Sequence, residues 1–485
     1  MLLCTVTLAQ GRPALGINLE AVSDWSRSAM FQDAIKSSRP FGPPDTPWIG
    51  RVRLDAHGWP MEDFGIVVFT HQPHAQGIYP LSFTGRAVVQ ARSDFGPLPL
   101  RLSYDAPTDR TTGTLTVGPS PDTSLFLSFR GTHQGVRNLR LLRPGAAPDQ
   151  TFSPQFLAAL APFSTLRTMG LQAINDSPAR SFAHRPHRDD AQQTGPEGIC
   201  LEYLIDLANQ THKDLWLCVP DQAGDPYVES MADLLRTRLD PTRTIYVEWS
   251  NELWYPMFQQ ARRNLQAAQQ EVRRGRSMLA EGGGGEATWA FHRQARRTVQ
   301  IARIFHRVLG RRARPILAAK SGDAQAEFEC LSWLDRHFGP PAGYLYGIAE
   351  AGYFGPSHPA RTGADALRLF RQDEGRVERE FPEAGAVAHH FGLRHLAYEG
   401  GPSSPGAAGL AANLQAQHDP AMGDLLAREL RSWYRASDDL FMVFELSGAD
   451  SVYGQWGLYT DLSEPTPKSQ AAVRISHWLS QRTIR

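Results

Sequence analysis

Thr244-Ile-Tyr-Val-Glu-Trp-Ser-Asn-Glu-Leu-Trp254 is the stretch on which the reading of the chain turns. Its apolar first half has the length and β-branched content of a buried strand, and it runs straight into the adjacent pair Asn251 and Glu252. An amide and a carboxyl at the end of a buried strand have chemical use. The Asn can donate to a substrate hydroxyl, while a Glu held beside aromatic surface keeps a raised pKa and serves as a general acid. The bland alternative is a solvated surface loop, and the rest of the chain has to decide between them.

Working outward, the chain after Pro144 alternates strand and helix patterns to its end, the signature of βα units around a parallel sheet. Strands are expected at residues 165–173, 215–219, 244–249, 315–319, 344–349, 395–399 and 440–444. The clearest helix is Glu286–Leu309, where Phe291, Ala295, Ala302, Phe305 and Leu309 share one face with arginines on the other. A further short strand at residues 15–20 brings the count to eight, which predicts a (β/α)8 barrel, a TIM barrel of the α/β class.

Between the first and second barrel strands the texture changes. Residues 65–70, 85–90, 113–117 and 124–129 are short alternating runs separated by Gly, Pro, Asp and Asn, which reads as an inserted all-β, sandwich-like module. The expected organisation is therefore residues 1–47 as the N-terminal segment with the first barrel strand, 48–144 as the module, and 145–485 as the remainder of the barrel.

Composition narrows the partner. Lys plus Arg and Asp plus Glu both number 50 in 485 residues, so no basic field argues for nucleic acid, and no apolar run is long enough to span a membrane. The four cysteines, Cys4, Cys200, Cys218 and Cys330, are widely spaced and lack C-x-x-C pairing, so buried free thiols are expected. His184, His187, Arg188, Asp189 and Asp190 sit in a Pro-interrupted loop without helical i, i+4 spacing, and read as a solvated loop or cleft lip; no metal and no cofactor are expected. Gly282 to Gly285 lack the Lys-Ser/Thr of a phosphate loop and read as a turn. The first ten residues, Met1-Leu-Leu-Cys-Thr-Val-Thr-Leu-Ala-Gln10, fit either the remnant of a signal peptide, implying a secreted or periplasmic protein, or a first strand that leaves a cytoplasmic one open.

A barrel of this kind carries its site at the C-terminal ends of its strands. The strand-end inventory is rich in carboxylates and aromatics: Asp24 and Trp25, Asn175 and Asp176, Asp221 and Asp225, Asn251 and Glu252 with Trp254, Lys320 and Ser321, Glu350 and Tyr353, Glu399, and Glu445 with Trp456. Two carboxyls on opposite sides of a barrel mouth can cleave a glycosidic bond, one protonating the leaving oxygen and the other attacking the anomeric carbon. Glu252 after the fourth strand and Glu399 after the seventh face each other in that way. Gly400 and Gly401, directly after Glu399, would let backbone and ligand approach closely. Glu350 and Glu445 compete with Glu399 if the strand ends lie a few residues away.

Ser250-Asn-Glu-Leu-Trp254, Tyr398-Glu-Gly-Gly401 and a Trp after the last strand together resemble the clan A glycoside hydrolases. Gly16-Ile-Asn18, Ser23-Asp-Trp-Ser26 and Val247 to Trp254 also resemble a bacterial group of such barrels often labelled cellulose-binding domain proteins. The resemblance implies Glu252 as acid/base, Asn251 as partner of the substrate 2-hydroxyl, Glu399 as nucleophile and Trp456 as a sugar platform. It also implies an Arg on the second strand that keeps the nucleophile ionised, for which Arg167 lies early in its expected strand, and a Tyr bonded to the nucleophile, for which Tyr353 fits better than Tyr346. Asp24, Trp25 and Trp254 complete the expected substrate-binding set.

The expected function is that of a retaining glycoside hydrolase acting on β-linkages of a neutral or weakly charged oligo- or polysaccharide. The alternatives are a non-catalytic glycan-binding or scaffold protein on the same barrel, and a transglycosylase using the same residues.

Overall fold

The computed structural model describes residues 14–147, 149–437 and 439–482. The first ten residues and Cys4 lie outside the described residues, so neither reading of that stretch meets the structure.

In chain order the structure begins with β1 (Leu15–Asn18), followed by β2 (Phe64–Gln72), β3 (Gly77–Thr84), β4 (Val88–Ser93), β5 (Gly96–Pro97), β6 (Leu100–Asp105), β7 (Arg110–Val117), β8 (Thr123–Arg130) and β9 (Arg137–Leu141). After α1 (Pro154–Ala159) come β10 (Thr165–Arg167), α2 (Leu201–Thr211), β11 (Asp214–Val219), α3 (Asp225–Arg238) and β12 (Ile245–Trp249). Then follow α4 (Gln259–Arg273), α5 (Glu286–Leu309), β13 (Ala313–Ala318), α6 (Ala324–Phe338) and β14 (Gly347–Phe354). The chain closes with α7 (Gly363–His390), β15 (Arg394–Pro402), α8 (Leu410–Gln417), α9 (Pro420–Ala436), β16 (Phe441–Val443) and α10 (Pro467–Gln481).

Strands β1 and β10 to β16 form a closed barrel of eight strands, with β1 paired in parallel to both β10 and β16. The period-two alternation of the strands divides their side chains between two environments. Leu215, Leu217 and Val219 of β11 and Ile245 and Val247 of β12 pack outward against the helices. Trp216, Tyr246, Ile316, Leu396, Tyr398 and Met442 fill the barrel interior. Against this apolar filling the polar side chains of the site are assembled, and its packing keeps them from sinking into the barrel.

Between β1 and β10 lie two antiparallel sheets, ordered β2-β8-β4-β5 and β6-β7-β3-β9. They share one core, with Phe64, Ile66, Leu125, Leu127 and Phe129 from the first sheet meeting Tyr79, Leu81, Phe83, Leu115 and Leu141 from the second. Asp33, ahead of the sheets, accepts from the Leu141 amide and so ties the module to the chain that leaves β1.

Three differences from the sequence reading bear on the site. The second barrel strand is three residues long where nine were expected, because the chain turns at once after Arg167: Thr168 accepts the Gln172 amide, and Gly170 packs so closely that a Cβ would lie 2.5 Å from the Leu19 carbonyl oxygen. The sixth and seventh strands run longer than expected, since Ala351 to Phe354 pair with Glu399 to Pro402 beyond an irregularity at Glu350. The missing side chain of Gly400 makes room for a barrel neighbour, since a Cβ there would meet Phe441 Cζ at 2.3 Å.

Phe129 is fully buried, stacked on Phe64 at 4.5 Å and edge-on to Phe83 at 5.5 Å, and so joins the two sheets of the module. Phe129→Ala should cost about 3–5 kcal/mol of module stability, read as a lowered urea midpoint in fluorescence-monitored unfolding. A midpoint equal to wild type would show that the sheets are not held by this core.

Candidate active site

Arg167 is the last residue of β10, and its guanidinium has no exposed surface. An arginine carries five N–H donors and no acceptor, so burying one obliges the surroundings to supply acceptors. Here the donors are fully used. Nε and Nη2 both donate to Glu248 Oε2 at 3.2 and 2.9 Å, and Nη2 also donates to Asn251 Oδ1 at 2.9 Å. Nη1 donates to Asn18 Oδ1 at 2.9 Å and to Glu399 Oε1 at 2.7 Å. The cation also lies over the rings of Trp216 and Tyr398, with centroids at 5.8 and 5.1 Å. Five strands, β1, β10, β11, β12 and β15, thus meet around one side chain.

Each acceptor is itself fixed. Glu248 Oε2 takes a further bond from Trp216 Nε1 at 2.9 Å, and Asn18 Nδ2 donates to the carbonyls of Tyr398 and Val443. Because Arg167 donates to Asn251 Oδ1, the amide orientation of Asn251 is determined by chemistry. Its Nδ2 faces Asn175 Oδ1 at 3.1 Å, and one of its two N–H bonds is left for another partner. Ser250 and Glu252, on either side of Asn251, both adopt left-handed backbone, with φ of 62° and 43°. Such residues cost about 1–3 kcal/mol each and persist where surrounding contacts over-determine them. The Ser250 amide bonded to the Val219 carbonyl at 2.8 Å is one such contact.

The two carboxyls face different surroundings. Glu399, on β15, receives Arg167 on Oε1 and the Tyr353 hydroxyl on Oε2 at 2.8 Å, one donor for each oxygen. Burial pushes its acid up from the ordinary value, and the Arg167 charge and both hydrogen bonds oppose that rise. Glu252 has the Tyr398 hydroxyl at 3.3 Å and no direct cation. Burial first, then the negative charge of Glu399, push its acid up to about 8, with Arg167 and Tyr398 pulling weakly the other way. The direct cation and two donors thus favour the charged form of Glu399, while Glu252, with neither, keeps its proton to higher pH.

Of the expected site residues, Glu252, Glu399, Asn251 and Tyr353 are brought together by these bonds. Tyr353 lies within β14, not beyond its end, and reaches Glu399 because β14 and β15 extend together. Trp254 packs on Tyr398 with ring centroids 6.2 Å apart. Trp456 reaches the cluster through Phe444, which is 5.6 Å from it and 6.0 Å from Tyr353. Trp456 Nε1 is held by Ser403 at 2.8 Å.

Asp24 and Trp25 are placed differently. The Asp24 carboxylate is occupied by Arg39 at 2.8 Å and the Thr70 hydroxyl at 3.1 Å, which fastens the chain after β1 to the module, and Trp25 stands 62% exposed. Neither is joined to the Arg167 cluster by any of the bonds described. Of the competing acids, Glu350 bonds His395 Nε2 at 3.0 Å and is felt by Glu327 of α6, which sets it on the helix side of the sheet. Glu445 lies near Glu399 and Glu20, and burial with those charges pushes its acid well above the ordinary value.

Sequence reasoning quoted Glu248 and Asn18 within motifs but gave neither a role at the site. Their signal was available: each is a polar residue at an inward-facing position of an otherwise apolar strand. Among the described residues, no group of three or more His, Cys, Asp or Glu could hold a metal ion, and Cys200, Cys218 and Cys330 are free and buried.

No protein-family model and no curated protein matches the chain. Similar solved structures include a 4-O-α-L-rhamnosyl-β-D-glucuronidase from Fusarium oxysporum 12S, with 12% identity over 67% of this chain and 64% of that one and a TM-score of 0.41. This chain therefore spans less than two thirds of that protein. They also include the CBM22-1 and GH10 modules of an endo-1,4-β-D-xylanase from Clostridium thermocellum, with 8% identity over 96% and 98% of the two chains and a TM-score of 0.41. A family 1 β-glucosidase from Thermotoga maritima has 11% identity over 67% and 84%, with a TM-score of 0.39. All three are glycoside hydrolases.

The raised Glu252 acid has consequences that can be measured. Between the ordinary carboxyl value of 4.5 and about 8 the folded protein holds a proton there that the unfolded chain releases, so this group's contribution to stability falls as pH rises across that window. Infrared or carbon-13 titration should find a carboxyl near 8 in wild type. In Glu399→Gln the same carboxyl should titrate lower, because a neighbouring negative charge has gone. An unchanged or higher value would show that the two groups do not interact.

Proposed function

We propose that this protein is a retaining glycoside hydrolase acting on β-linkages of a neutral or weakly charged oligo- or polysaccharide. The observation that carries the reading is the unequal environment of the two carboxyls: Arg167 and Tyr353 hold Glu399 from both oxygens, while Glu252 is half-buried without a direct cation.

In the first step the Glu399 carboxylate attacks the anomeric carbon, the bond from that carbon to the leaving oxygen breaks, and the Glu252 proton passes to that oxygen. In the second, water adds to the anomeric carbon, gives a proton to the Glu252 carboxylate, and the bond to Glu399 breaks. Both residues end as they began. The remaining N–H of Asn251 faces the role of donor to a sugar hydroxyl, and Trp456 offers an apolar face to a ring. The direct cation and tyrosine on Glu399, set against the raised acid of Glu252, support catalysis over a purely glycan-binding barrel. A transglycosylase would use the same residues and differ in admitting a sugar acceptor ahead of water.

The two carboxyls should stand about 5–5.5 Å apart in a substrate complex, the spacing of retaining enzymes. Reducing-end release over a glycan panel should identify the substrate. On it, Glu252→Gln should lower kcat by about 10²–10⁴-fold, the range for loss of a general acid. Wild-type activity should fall as pH rises through about 8, where Glu252 gives up its proton. Wild-type turnover in either Glu252→Gln or Glu399→Gln would remove the assigned role.

A further inference from the structure

Beside the Glu252 loop lies a cavity of about 490 Å³ enclosed by α4, α5, α6 and the segment that follows β12. Pro256, Glu286, Ala287 and Lys320 form an exposed rim, and Leu253, Ala261, Ala290 and Cys330 form a buried floor. Trp254 makes one wall. The same Trp254 packs on Tyr398, whose hydroxyl donates to Glu252, so this ring is shared by the cavity wall and the surroundings of Glu252. The cavity belongs to the strand-four and strand-five side of the barrel, whereas Glu399 comes from strand seven.

Glu327 is the anomaly of the cavity. It lines the floor, it is 2% exposed, and neither carboxyl oxygen has a hydrogen-bond partner. Nearly all buried polar groups are paired, and leaving one unpaired costs stability. Its neighbours do not relieve it: Glu350 is bonded to His395, and the Asp323 carboxylate caps α6 through the Ala326 amide. Burial, with Glu350 and Asp323 close by, pushes the Glu327 acid well above its ordinary value. Glu327 lies in the first turn of α6, where a carboxylate is favoured at the helix N-terminus, but that position gives its oxygens no hydrogen-bond donor.

We propose that this cavity binds a small apolar molecule carrying one hydrogen-bond donor, hydroxyl or amine, that bonds Glu327. Its size lies within the range of small-molecule sites, and its lining presents more apolar than polar surface.

The test uses sugar-free probes, 2-phenylethanol, 2-phenylethylamine and ethylbenzene, titrated into the full chain carrying nitrogen-15 tryptophan. The Trp254 indole signal, assigned with Trp254→Phe, should move with all three and saturate at lower concentration with the alcohol or the amine. Glu327→Leu should weaken binding of those two by about 2- to 12-fold, the value of one hydrogen bond, while ethylbenzene binds at least as well. Glu327→Gln keeps the shape and should retain the alcohol, which guards against loss of fold in the Leu variant. Ala287→Trp, at the exposed rim, should block all three. Tighter amine than alcohol identifies a cationic donor, and the reverse a hydroxyl. An unmoved Trp254 signal, or equal binding of the polar probes by wild type and both Glu327 variants, overturns the proposal. Because no probe contains a sugar, absence of glycoside turnover would refute the hydrolase reading without touching this result.

Discussion

A buried arginine with all five N–H bonds spent is the constraint on which the site depends. Arg167 gathers Asn18, Glu248, Asn251 and Glu399 from four other positions around the barrel, and each of those is held in turn by a neighbour. Removing a charge of this kind from water costs several kcal/mol per ion, which only close pairing and complete hydrogen bonding offset. The network gives the guanidinium two carboxylates, two amides and two aromatic faces, and leaves Glu248 Oε1 as its one buried oxygen without a partner. Replacing the guanidinium with a smaller cation would leave acceptors buried and empty, since an ammonium has three donors and no planar fork.

The same side chain separates the two acids. Glu399 is bonded to it directly, while Glu252 feels it only at a distance and feels Glu399 as a negative neighbour. One cation placed closer to one carboxyl than the other is enough to set a proton donor beside an anion. That division is the physical requirement of double displacement, where one group must attack and the other must protonate. The left-handed backbone at Ser250 and Glu252 serves the same end, turning the chain sharply so that Asn251 faces Arg167 while Glu252 faces Tyr398.

Much of this was legible in residues whose pattern is local. The apolar run before Asn251, the matching run before Glu399 and the helix at Glu286–Leu309 each follow from periodicity, and eight such strands imply a closed barrel. What was not legible depends on where strands end. Arg167 seemed too early in its strand because the turn after it is set by Gly170 packing against the Leu19 carbonyl, a contact remote in sequence. The space beside Gly400 belongs to Phe441, and the Asp24 carboxylate is taken by Arg39 and by Thr70 of the module, contacts that no local pattern encodes. Glu327 was invisible for a related reason: on a helix a single acid reads as a solvated face until burial and missing partners are known.

The central claim is that Glu399 is the anion that bonds to the sugar. Incubation with 2-deoxy-2-fluoro-β-glycosides bearing a good leaving group, followed by peptide mass mapping, tests it most directly, because the fluorine slows breakdown of the glycosyl-enzyme. The account predicts a single added sugar on the peptide that contains Glu399, and its absence in Glu399→Gln. A sugar on Glu445 or Glu248, or inactivation without any covalent adduct, would contradict it.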